Sequence, residues 1–167
     1  MSRSGLLSFP NPVNEKAARA VAGGVVLLAV AALVTESAWV ALAMAVGFAL
    51  RVASGPRFSP LGRLAVHVVA PRLGAAVLVP GPPKRFAQAI GLTFTVSATV
   101  AGFAGATTLF TALLAVLLVF ATLESVAGFC AGCWVFGHLM RLGVIPEETC
   151  EACNDISLRR AGEFVSA

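Results

Sequence analysis

Between Arg85 and Glu124 the chain carries not one charged residue. From Phe86 to Leu123 no side chain is ionisable at neutral pH, and Leu109 to Leu123 is almost purely aliphatic. Such a run has few homes. In hydrocarbon every backbone N–H and C=O must be paired within the segment, so the run reads as helix, and the glycine-containing stretch Gly102 to Ala106 divides it into two crossings. Composition agrees: 58% of the residues are hydrophobic and only 12% charged, against roughly a quarter charged in soluble domains. The chain reads as an integral membrane protein.

The first half repeats the arrangement. Met1 to Lys16 is polar and carries Pro10 and Pro12, reading as a short cytoplasmic arm (residues 1–16), and Asn14-Glu15-Lys16 supplies a helix cap and first turn. Ala17 to Val34 is apolar except for Arg19, which can snorkel to the headgroups. The polar lead is too long, and Glu36 too close to Ala38, for a cleaved leader. After Thr35-Glu36-Ser37 a second apolar run, Ala38 to Leu50, ends at Arg51, with Trp39 at interfacial depth. These two helices are short for a core of about 30 Å and are read as a hairpin.

Arg51 to Arg85 holds six Lys/Arg and six prolines, and its apolar pieces Leu61–Ala70 and Leu73–Val79 are too short to span. It reads as an interfacial connection with its arginines at headgroup level. The fold class is therefore an all-α membrane protein with four transmembrane helices in two hairpins (17–34, 38–51, 86–101, and 107–127 continuing to about 140), joined by a long Pro/Arg-rich cytoplasmic connection. The membrane domain spans residues 17–141, and a cysteine-containing tail covers residues 142–167. Ala18-Arg19-Ala20-Val21 echoes Ala87-Gln88-Ala89-Ile90, as two related hairpins would.

Charge orients the chain. Arg3, Lys16 and Arg19 lie at the start, Arg51, Arg57, Arg63, Arg72, Lys84 and Arg85 in the connection, and Arg141, Arg159 and Arg160 at the end; the two hairpin turns hold none. The positive-inside rule makes both termini and the connection cytoplasmic, in an inner (cytoplasmic) membrane. The net charge of +4 is thus read as orientation, not as a nucleic-acid surface.

The same topology places the cysteines. All four, Cys130, Cys133, Cys150 and Cys153, form two C-x-x-C pairs sixteen residues apart. At about 1.5 Å per residue the fourth helix has risen about 33 Å by Cys130, which puts the first pair at the cytoplasmic surface and the second beyond it. A reducing compartment favours free, metal-bound or transiently oxidised thiols. On one helix face, Cys130 and Cys133 can share a metal or close a reducible disulfide. Four thiolates at this spacing suit zinc and, less well, iron. The acidic surroundings of Cys150 and Cys153 raise thiol pKa values and disfavour a reactive second pair.

Glu124 falls about 25 Å into the last helix. Helical projection puts it with Ser125, Gly128 and Gly132 on a seam toward the bundle, serving either a structural hydrogen bond or proton and solute handling. His67 and His138 read as interfacial packing residues, with His138 a further candidate ligand.

Four segments, Gly55-Pro56-Arg57-Phe58-Ser59-Pro60, Ala70-Pro71-Arg72-Leu73-Gly74, Pro83-Lys84-Arg85-Phe86-Ala87-Gln88 and Gly128-Phe129-Cys130-Ala131-Gly132-Cys133, resemble in content and order a family of small bacterial membrane proteins, DUF4395. The likeness runs from the first helix through Cys133, and the signature cysteine pair of that family matches Cys130 and Cys133. It implies companions of thioredoxin-like or sulfurtransferase type. The sequence reading is thus a thiol redox or sulfur-relay protein using Cys130 or Cys133 as nucleophile. Its alternatives are a zinc-clasped scaffold on all four cysteines and an oligomeric transporter of a small solute or sulfur species using Glu124.

Overall fold

The structure, a computed structural model, describes residues 9–150. Four helices in it are long and apolar enough to cross a bilayer, and the chain is a multi-pass, all-α membrane protein. In order, β1 (Val13–Asn14) leads into α1 (Glu15–Thr35), α2 (Ala38–Ser54), the short α3 (Pro60–Leu64) and α4 (Ala70–Arg72), then β2 (Leu78–Val79), α5 (Gly81–Phe103), α6 (Thr107–Thr122) and α7 (Ala131–Arg141).

Local chemistry sets the helix ends. The Asn14 side-chain oxygen accepts from the Lys16 N–H at 3.0 Å, and Glu15 places a negative charge in the first turn of α1, against the positive end of the helix dipole. At the other end Glu36 adopts the left-handed conformation, φ 48°, and reverses the chain within two residues. α5 starts at Gly81, five residues before the apolar run, because Pro82 and Pro83 occupy its first turn. No N–H is needed there, and a fixed φ suits the helix. α2 likewise outlasts its apolar run, ending at Ser54, so that Arg51 belongs to the helix and not to the connection.

The four long helices form a ring: α1 packs on α2 and α6, and α5 packs on the same two. At the centre Ala29, Ala32, Ala41 and Ala98 are fully buried beside Met44, Phe48, Phe110 and Leu114. Small residues let backbones approach, which is how helices gain dispersion contact where lipid removes the hydrophobic drive. Gly91 of α5 shows the tolerance: a Cβ there would overlap the Phe48 ring. Outward-facing Leu27, Val34, Val100 and Val119 are exposed, as a lipid-solvated surface requires. The two hairpin turns sit together at one end, where Trp39 meets Phe103 edge to face at 5.0 Å and Gly102 lies against Ala38.

The described charged residues other than Glu36 lie away from these turns. After Gly55, with φ 66°, the connection folds back as α3, a π-turn (Ala65–Val69) and α4, packed along α1 with Leu61 seated over Gly24. The widened π-turn ends two residues before Pro71, which cannot donate to a regular helical ladder. β1 and β2 then pair antiparallel (Val13 with Val79), tying the arm to the start of α5, where the Gly81 N–H donates to Asn11 at 3.0 Å. Gly91→Val would drive a branched side chain into Phe48, and we expect a loss of about 2 kcal/mol, read as a lowered thermal midpoint in detergent.

Candidate functional site

The fourth spanning helix does not run on to Met140. α6 opens into a π-turn (Leu123–Ala127) and stops at Gly128, whose φ of 69° is the left-handed geometry that glycine takes without strain. The Gly128 N–H donates to the Glu124 carbonyl at 3.1 Å and the Phe129 N–H to the Leu123 carbonyl at 3.2 Å, closing the end. The chain then extends through Cys130 (φ −96°, ψ 100°) and re-enters helix as α7. Cys130 is therefore the N-cap of α7 and not a member of a continuous helix.

Cys130 and Cys133 form a disulfide, with Cα atoms 5.2 Å apart. The Cys130 Sγ also accepts from the Cys133 N–H at 3.3 Å, as a capping group does at a helix start. The two cysteines differ in burial. Cys130 is buried, 8% exposed, whereas Cys133 is half-buried. Gly132 between them lets α7 touch α5, since a Cβ there would strike Ala87.

Around this pair lies a set of polar contacts. Arg19 does not reach for headgroups: its Nε and Nη2 donate to the carbonyls of Ser125 (3.1 Å) and Val126 (2.7 Å), capping the end of the fourth span. Glu124 is bound by Lys84, whose Nζ lies 2.9 Å from Glu124 Oε1 and 3.0 Å from Glu15 Oε2. One ammonium thereby links the starts of α1 and α5 to the end of the fourth span. Arg51, expected at the headgroups, is buried at 4% exposure. It donates to Gln88 Oε1 (2.8 Å) and Ser59 Oγ (3.1 Å), with its guanidinium 4.4 Å from the Phe48 ring centroid. Arg19 and Gln88, the matched positions of the two hairpin starts, each contact the end of the neighbouring hairpin's second helix.

An apolar cavity of ≈ 180 Å³ lies within the ring, and Cys130, Glu124 and Gln88 are in its wall. The other predicted site residues are elsewhere. Cys150 is disulfide-bonded and buried against Phe136 and Met140, in the second half of α7, and Cys153 lies outside the described residues. Among the described residues no three His, Cys, Asp or Glu are grouped as metal ligands. A disulfide offers no thiolate, so a four-cysteine zinc or iron site would first need Cys130–Cys133 opened. His67 is exposed on the π-turn of the connection. The exposed His138 donates from Nδ1 to the Trp134 carbonyl at 3.0 Å, because a carbonyl can only accept, and its ring lies 4.0 Å from that of Trp134.

Sequence reasoning missed Lys84, Arg51, Arg19 and Gln88 as members of the polar end. It counted the cations for topology and left the carboxylates Glu15 and Glu124 unpaired, although two carboxylates beside apolar runs, among many cations, were the available signal.

A family profile described as "Domain of unknown function (DUF4395)" matches residues 13–141. No curated protein and no solved structure shows significant similarity to the chain.

Replacing the shared cation leaves two mostly buried carboxylates facing one another. Lys84→Met is expected to destabilise the protein by about 3 kcal/mol, and Glu124→Gln by less than half of that, in detergent unfolding titrations. Equal losses would deny Lys84 its central position.

Proposed function

The chain belongs to the DUF4395 family, and we propose that it is a membrane thiol-redox protein whose Cys130–Cys133 pair exchanges electrons with a soluble dithiol protein of thioredoxin-like type. The observation that carries this is the closed disulfide at the start of α7, between a buried cysteine and a half-buried one. Exchange requires in-line approach of a thiolate to a sulfur, so access selects the target. The partner's thiolate attacks Cys133 Sγ, the Cys130–Cys133 bond breaks, and Cys130 leaves as a thiolate. The Cys133 N–H and the positive end of α7 stabilise that leaving group, as a helix N-terminus does for a thiolate. The partner's second thiol then attacks its own sulfur in the mixed disulfide and releases Cys133. Two electrons and two protons have passed from the partner dithiol to the pair.

Both termini and the connection face the cytoplasm in this reading, because the Lys/Arg residues collect at one end of the bundle and the turns carry none. The site is then at the inner surface of the cytoplasmic membrane, where thioredoxin-like proteins, or sulfurtransferases using the same thiols, can reach it. The two alternatives draw less from the geometry. A zinc clasp needs this disulfide opened, and a solute path through Glu124 needs that carboxylate released from Lys84.

The roles of the two sulfurs are separable. Cys130→Ser keeps the accessible thiol and should trap a mixed disulfide with an oxidised thioredoxin-like partner, whereas Cys133→Ser should trap about tenfold less, scored on non-reducing gels. Undiminished exchange in the double Ser variant would sink the proposal. For orientation, Thr107→Cys in a background lacking the native cysteines is expected to label with an impermeant maleimide from the periplasmic side of intact cells.

A further inference from the structure

The cavity beside the disulfide has a shape and polarity that specify an occupant. Its wall is drawn from all four spanning helices and the first turns of α7, and is apolar apart from Gln88, Glu124 and Cys130. Three of its lining residues, Val116, Phe120 and Val135, are exposed on the outer face of the bundle. The opening is therefore onto lipid, between apolar side chains. An occupant must come from the bilayer. A volume of ≈ 180 Å³ takes one substituted six-membered ring, since an apolar cavity of about 150 Å³ holds benzene, and a tail would leave through the opening.

Gln88 supplies direction. Arg51 only donates, so the amide oxygen must face it, and that bond leaves the Gln88 NH₂ as the group with hydrogens to offer. A ring carrying a carbonyl oxygen satisfies that donor. Cys130 in the same wall brings a redox-active sulfur to the ring.

Resting on the thiol-redox reading, we infer that this cavity binds a lipid-soluble quinone, and that the quinone is the electron acceptor that re-forms the Cys130–Cys133 disulfide. In the reduced protein the Cys130 thiolate adds to a ring carbon, forming a C–S bond while one ring oxygen takes a proton. The Cys133 thiolate then attacks Cys130 Sγ. The S–S bond forms, the C–S bond breaks with its electron pair going to the ring, and the second ring oxygen takes the other proton. Two thiols and one quinone become one disulfide and one hydroquinone. Cys130 is buried in the cavity wall while Cys133 is half-buried outside it, which divides the work: the soluble partner meets one sulfur and the lipid-borne acceptor the other.

The experiment uses the full chain in nanodiscs, reduced and freed of reductant under anaerobic conditions, with decylubiquinone as probe. Thiol loss should match quinone loss at two to one. Val116→Trp, which narrows the opening, should slow quinone-dependent reoxidation about tenfold. Ile90→Trp, at another lining position, is the second plug should the first fail to fold, and is expected to act alike. Thiols that stay reduced in the presence of decylubiquinone, or that reoxidise equally fast in wild type and plugged variants, overturn the inference. Exchange of the wild-type disulfide with thioredoxin is followed in the same preparation. If exchange persists while quinone does nothing, the thiol-redox reading stands and only the quinone falls. If exchange is also absent, both fall.

Discussion

One ammonium group, that of Lys84, holds together what the lipid cannot. Helices in hydrocarbon gain little from burying apolar side chains against one another, so their arrangement rests on close packing of small residues and on polar contacts. Lys84 reaches Glu15 at the first residue of α1 and Glu124 in the last turn of the fourth span. The ends of three elements are fixed at one point. Arg19 on the carbonyls of Ser125 and Val126, and Arg51 on Gln88 and Ser59, extend the same principle around the ring. The disulfide stands on this platform: the Cys130 cap, the Gly128 turn and the Gly132–Ala87 contact are all within a few residues of a charge-assisted bond.

The spanning helices were legible because lipid leaves only one solution for an uncharged apolar run: four spans were read and four are present. The ends were less so. Hydropathy sees charge as the close of a helix, yet α5 begins before Lys84 and Arg85 and α2 continues past Arg51, because a cation with a partner inside the bundle need not leave it. Gly128, read as part of a small-residue seam, breaks the span that was carried on to about residue 140. That it ends the helix outright depends on a left-handed φ and a carbonyl cap from Arg19, a residue more than a hundred positions earlier. Such long-range capping has no local signature.

The cysteine spacing was visible, but its geometry was not. On an unbroken helix Cys130 and Cys133 would share a face and an environment; as N-cap and third residue they are chemically unequal. That inequality underlies the assignment of attacked and leaving sulfur. The apolar cavity, too, comes from chain segments far apart in sequence, and no run of residues announces it. Its polar members, Gln88 and Glu124, had been noticed for other reasons.

The far end of the ring has a consequence for how the protein comes to exist. Its two turns contain between them a single charged residue, Glu36. A chain inserted from the charged side drags almost nothing water-loving through hydrocarbon. Each hairpin can enter as a preformed unit, and biogenesis reduces to docking two such units side by side. Lys84, Arg19 and Arg51 all reach across from one hairpin to the other or to its flanking segment, so these bonds exist only where the two hairpins meet. The polar surroundings of Cys130 and Cys133 are complete only in a molecule whose hairpins are docked.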